Sequence, residues 1–192
     1  MRFCLYLFAL VFVVSACVAP RSEALDDATA PLVDWYREEI ALPPQFAPSL
    51  PAGEEVLLFA PGMFDADAED YWSYVFLLKV NEDSMSRERI VEIFELYYDG
   101  LLASVAEGRN EDVGKDPAKV RMQDFGHGVY EMQIDLIDTF VTMKPLALNL
   151  TVEVLPAESD ASLLRVMASP MPKEHKVWSQ LDHALRSLSF VD

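Results

Sequence analysis

The chain has 192 residues, of which 52% are hydrophobic, 11% aromatic and 24% charged; that composition excludes collagen-like, low-complexity and globally disordered chains and suits one packed domain. Acids outnumber bases 32 to 15, a net charge of −17 that repels phosphate backbones and argues against a nucleic-acid partner. Both cysteines, Cys4 and Cys17, lie at the N-terminus, so the body has no disulfide framework and no thiolate zinc site.

Arg2 precedes an unbroken apolar run, Phe3 to Val14. The run is too short for an ordinary spanning helix, which needs about 20 apolar residues, and has the form of an export signal. It ends in Val14-Ser15-Ala16-Cys17. This resembles the lipobox of bacterial lipoproteins. The resemblance implies cleavage after Ala16, diacylation of the Cys17 thiol and acylation of the new amino group. Each buried methylene adds about 0.8 kcal/mol, so two or three chains anchor a soluble domain. Val18, where an Asp would hold a lipoprotein at the inner membrane, resembles the pattern of those sent to the outer membrane. The alternative is cleavage at an A-x-A-like site with Cys17 incidental. Residues 1–16 thus read as signal and 17–30, small and acidic, as a lipidated N-terminus and flexible tether. Residues 31–192 read as one α+β domain, in the bacterial envelope and outside the cytoplasm.

Pro31 to Ile40 spaces Leu32, Trp35, Tyr36 and Glu39 as a short helix would. Four prolines between Leu42 and Gly53 predict an extended segment over the surface. Glu54–Ala60 predicts a strand closed by Pro61-Gly62. Tyr71–Val80 predicts the strongest strand, with Trp72, Tyr74, Phe76, Leu78 and Val80 on one face and Val75 and Leu77 on the other; such a strand belongs near a sheet centre. Ser86 caps a predicted helix, Arg87–Glu107, that Gly100 could kink or end early. Strands follow at Val120–Phe125, Val129–Ile137, Leu146–Leu155 and Leu163–Ser169, and a helix at Glu174–Phe190. The order predicts a two-layer α+β sandwich, a mainly antiparallel sheet of about six strands with two helices on one face. Its uncovered face would carry Glu131, Gln133, Asp135, Asn149, Thr151 and Glu153, the first place to look for a partner, although a solvated face is the simpler expectation.

Asp65, Asp67, Glu69 and Asp70 place carboxylates as the first half of a calcium loop does. The sixth and twelfth positions, Asp70 and Phe76, break the EF-hand pattern, so a solvated acidic loop is the simpler expectation. Calcium is the sole cofactor candidate. His175 and His183 are eight residues apart, about 12 Å along a helix, too far to share an ion. His127, between two glycines, could meet Asp124 or Glu131. No nucleophile elbow, Walker loop, dinucleotide glycine pattern or C-x-x-C occurs. Trp35, Trp72 and Trp178 read as core.

The runs 59–80, 96–102, 138–152 and 169–178 (FAPGMFDADAEDYWSYVFLLKV, LYYDGLL, DTFVTMKPLALNLTV and SPMPKEHKVW) resemble an uncharacterised family of exported bacterial proteins. That resemblance implies only that these segments belong to one domain. The expectation is a lipid-anchored binding module for an envelope protein or a small molecule. The alternative is a hydrolase built on the 65–70 carboxylates or His127, with calcium or without it.

Overall fold

The computed structural model describes Leu32 and residues 34–157 and 160–190. The signal, Cys17 and the tether lie outside the described residues. Seven strands form one antiparallel sheet: β1 (Tyr36–Leu42), β2 (Gly53–Phe59), β3 (Tyr74–Val80), β4 (Lys119–Asp124), β5 (Val129–Ile137), β6 (Pro145–Ala157) and β7 (Ala161–Ser169). Helix α1 (Arg87–Gly108) separates β3 from β4, and α2 (Val177–Ser187) closes the chain. The spatial order is β1-β2-β3-β7-β6-β5-β4. The first three strands run as a meander. Helix α1 then carries the chain to the far edge, and β4 to β7 return inward until β7 pairs with β3.

Period-two patterning divides the sheet into two faces. Tyr74, Phe76 and Leu78 of β3, Met132 and Ile134 of β5, Leu148 and Leu150 of β6 and Leu164 and Val166 of β7 form one core. Helix α1 covers it with Ile90, Ile93, Phe94, Tyr97, Tyr98 and Leu102, spaced by three and four residues. Full burial of each large side chain is worth about 1.5–3 kcal/mol. Ser86 Oγ accepts from Arg89 N at 3.2 Å and caps α1 as predicted.

Helix α2 lies on the opposite face. Its Val177, Trp178, Leu181, Ala184 and Leu185 pack on Val56, Val75 and Leu77. The α+β class and the antiparallel sheet stand, but the two helices do not share a face, and there are seven strands. The apolar second side of β3 is the physical reason: Val75 and Leu77 need cover, and α2 gives it.

The seventh strand is β1, where a short helix was expected. Gly53–Phe59 offers an open ladder, and Tyr36 to Leu42 pairs with it residue by residue, from Tyr36 against Phe59 to Leu42 against Gly53. Cross-strand hydrogen bonding outweighs a weak helical spacing. Strand β3 begins at Tyr74, later than predicted, because Trp72 leaves the extended conformation with φ 51°. Gly100 neither kinks nor ends α1. A Cβ there would sit 2.0 Å from the Phe46 carbonyl oxygen, so glycine lets the proline-rich strap, 43–52, cross directly over the helix.

Candidate functional site: an aromatic cavity beside a buried carboxyl

On the α1 face, at the β1 edge of the sheet, a cavity of about 240 Å³ opens to the surface. Alternate residues of the first three strands form its base: Tyr36, Glu38 and Ile40 from β1, Leu57 and Phe59 from β2, and Tyr74 from β3. Tyr97 and Leu101 of α1 and Phe46 of the strap make one wall. Met63, Phe64 and Trp72 from the 60–73 loop and Phe140 from the β5–β6 loop make the other. The rings touch one another. Phe59 meets Tyr74 at 5.8 Å, Tyr36 at 6.1 Å and Phe64 at 6.2 Å between centroids; Phe140 bridges Phe64 at 5.7 Å and Trp72 at 5.4 Å; Phe46 meets Tyr97 edge-on at 5.4 Å. Tyr36 and Phe64, at 65% and 55% exposure, stand at its rim.

Local hydrogen bonds fix the 60–73 loop. Met63 N donates to Ala60 O, Trp72 N to Met63 O, and Gly62 N to Asp70 Oδ2, each at 3.0–3.1 Å. Trp72 is held in the left-handed region, an outlier for so bulky a residue that costs about 1–3 kcal/mol. Asp138 pins it from across the sheet: its carboxylate accepts from Trp72 Nε1 at 2.9 Å and from the Tyr71 hydroxyl. The same carboxylate accepts from the amides of Phe140, Val141 and Thr142 and from the Thr142 hydroxyl. Burial pushes the Asp138 carboxyl up, but the bonds from Thr142, Tyr71 and Trp72 outweigh it and hold the group at about 2. One ionised carboxylate therefore joins both loops that carry the outer wall.

Beside the cavity lies Glu55 of β2, 1% exposed. Tyr97 Oη donates to its Oε2 at 3.3 Å, and its Oε1 has no partner. Burial raises this carboxyl to about 8, against the lowering effect of Tyr97. The cavity thus has an apolar lining, one charged side chain on that lining, Glu38, and a second carboxyl one hydrogen bond behind it. An apolar hollow with few polar groups is the usual form of a small-molecule site.

The six polar residues singled out from sequence share one face, as expected, beside α2 and opposite α1. They are cross-linked. Arg121 reaches Asp135 at 2.5 Å and Gln133 at 2.9 Å, and Gln133 reaches Asn149 at 3.4 Å. Asn149 donates to the carbonyls of Pro170 and Met171, Lys173 to Thr151 at 2.6 Å, and Arg165 to Glu153 at 2.7 Å. Burial lowers Lys173 to about 8, countered by Glu131, and the ammonium stacks 3.6 Å over the Trp178 ring. A shallow hollow of about 420 Å³ lies here, lined by Arg121, Glu131, Gln133, Asn149 and Lys173 among others. Of these lining groups, Arg121, Gln133, Asn149 and Lys173 spend hydrogen bonds on neighbouring side chains and carbonyls.

The acidic loop does not converge. Asp65 accepts from Asp67 N, Asp70 from Gly62 N, and Glu69 pairs with Lys176 at 2.7 Å, a bond that draws the Glu69 carboxyl down. Among the described residues no three His, Cys, Asp or Glu side chains are grouped to hold a metal ion. Asp124 accepts from Gly126 N instead of meeting His127, whose exposed side chain makes no hydrogen bond among the described residues. His175 Nδ1 accepts from Val177 N at the start of α2. Trp178 is core, Trp35 packs on the α2 cluster, and Trp72 is both core and cavity wall.

Sequence patterning misses the cavity because its rings come from seven separate segments. Two signals were present. Glu55 falls at period two with the inward Leu57 and Phe59 of β2, and Phe59 and Phe64 flank the Pro61-Gly62 turn. No protein-family model, no curated protein and no solved structure matches the chain.

Proposed function

We propose that this chain is a lipid-anchored envelope protein whose domain binds a small apolar molecule in the aromatic cavity. One observation carries the reading. Tyr36 and Phe64, two of the three large hydrophobic side chains most exposed among the described residues, rim the same ring-lined hollow. Exposed apolar surface concentrated at a concavity costs solubility unless a ligand covers it. The strained Trp72, fixed by Asp138, supports a preorganised wall. The lipobox-like segment ending at Cys17 supports the anchor, and the net charge of −17 supports a domain held off anionic headgroups. The alternative hydrolase, on the 65–70 carboxylates or His127, has no such geometric support.

The test is titration with N-phenyl-1-naphthylamine, an uncharged probe that fluoresces in apolar surroundings. Saturable one-to-one binding is expected, and Leu101→Trp, which fills the hollow from α1, should weaken it at least tenfold. Equal binding by the filled variant would overturn the assignment.

A further inference from the structure

Resting on the reading of the cavity as a ligand site, we propose that its ligand is a small organic cation of the quaternary-ammonium class, held over aromatic faces with Glu38 as counter-charge. The geometry supplies both halves of such a site. Tyr36, Phe59, Phe64 and Tyr74 all line the hollow, and Phe59 lies 5.8–6.2 Å from the other three between centroids, so a bound group meets several rings at once. Ring faces carry negative quadrupole potential and attract a cation within about 6 Å.

The charges agree. Glu38 lines the hollow with no Lys or Arg beside it on the lining, and it makes no ion pair or hydrogen bond among the described residues. An anion entering here would meet Glu38 and the field of a chain carrying −17. A neutral ligand would leave the carboxylate unused.

Hydrogen-bonding capacity narrows the class. A primary ammonium carries three N–H donors that need acceptors. Two of the three phenol oxygens on the lining are engaged, Tyr97 with Glu55 and Tyr74 with Tyr98, and the third belongs to Tyr36 at the exposed rim. A quaternary centre has no N–H to satisfy and spreads its charge over methyl groups that pack on rings. At about 240 Å³ the hollow is smaller than the roughly 300–1,000 Å³ of drug-sized sites, so the cationic head is the greater part of what it encloses.

The experiment compares choline with its uncharged carbon isostere, 3,3-dimethyl-1-butanol, by calorimetric titration of the full chain. Choline should bind at least tenfold more tightly than the isostere. Glu38→Gln, a change on an exposed strand position, should weaken choline at least fivefold more than it weakens N-phenyl-1-naphthylamine. Equal affinity for choline and isostere, or an unaltered choline affinity in E38Q, overturns the cation assignment while the apolar site stands. If neither choline nor the naphthylamine binds, both readings fail together.

Discussion

Trp72 and Asp138 stand 66 positions apart in the chain, yet the indole Nε1–H donates to Asp138 Oδ1 at 2.9 Å. That bond ties the loop after β2 to the loop after β5. It therefore sets the position of Trp72 and Phe140 in the cavity wall. Asp138 also ends the bonds of three backbone amides, so its charge is spent on local order as well as on the long-range contact.

Asp138→Asn should be costly. The amide group cannot accept at both positions, so the donors from Tyr71 and Thr142 lose their acceptor, and a bond to a charged group is worth about 1.5–3 kcal/mol. The melting temperature should fall by roughly 5–10 °C. Because the folded-state carboxyl sits at about 2, below its ordinary 3.8, its contribution is complete above pH 4 and is lost as pH falls through 2. Acid melts of the wild-type chain should show a loss of about 2 kcal/mol in that window, absent from D138N.

Glu55 works in the opposite direction. Its folded-state value of about 8 lies above the ordinary 4.5, so the stability tied to its protonated form is complete below 4.5 and is lost as pH rises through 8. Glu55→Gln keeps the shape and removes the titration. At pH 9 the variant should be more stable than wild type by roughly 2–4 kcal/mol, and near pH 4 the two should be similar. Denaturant melts at both pH values read this directly; identical pH slopes would show that the Glu55 carboxyl titrates in the folded chain as it does in the unfolded one.

At Gly100 two effects compete. Alanine improves helix propensity by about 1 kcal/mol. Its Cβ, however, would meet the Phe46 carbonyl oxygen at 2.0 Å, and backbone cannot rotate away as a side-chain tip can. Overpacking typically costs about 1–3 kcal/mol. Gly100→Ala should therefore destabilise on balance, and binding of N-phenyl-1-naphthylamine should weaken as the strap shifts Phe46 from Tyr97. A more stable variant would mean the strap moves freely.

Much of the fold was legible because its strands alternate. Tyr130 to Leu136 and Leu148 to Val154 each place apolar and polar residues at period two, and Ser86 announces the start of α1. Residues 36–42 were not legible: Tyr-Arg-Glu-Glu-Ile-Ala-Leu becomes a strand through its ladder with β2, a partner that local sequence does not reveal. Helix α2 had a legible stripe, but the face it covers depends on which way the chain leaves β7. The cavity was hidden for a similar reason. Phe46, Phe59, Phe64 and Phe140 become neighbours only after the sheet assembles.

The anchor makes its own prediction. Produced in a bacterial host, the chain should partition into the detergent phase of a Triton X-114 separation, and Cys17→Ala should move it to the aqueous phase. Aqueous partition of the unmodified chain would remove the lipid from this account.

The most direct test of the binding site is a methyl-resolved titration with N-phenyl-1-naphthylamine, using chain labelled at its methionine methyl groups. Met63 lines the cavity, whereas Met167 packs on the α2 side of the sheet. Saturable displacement of the Met63 resonance, with Met167 unmoved, is the predicted result. Shifts centred on Met167, or none at Met63 while the probe binds, would contradict the placement of the ligand site on the α1 face.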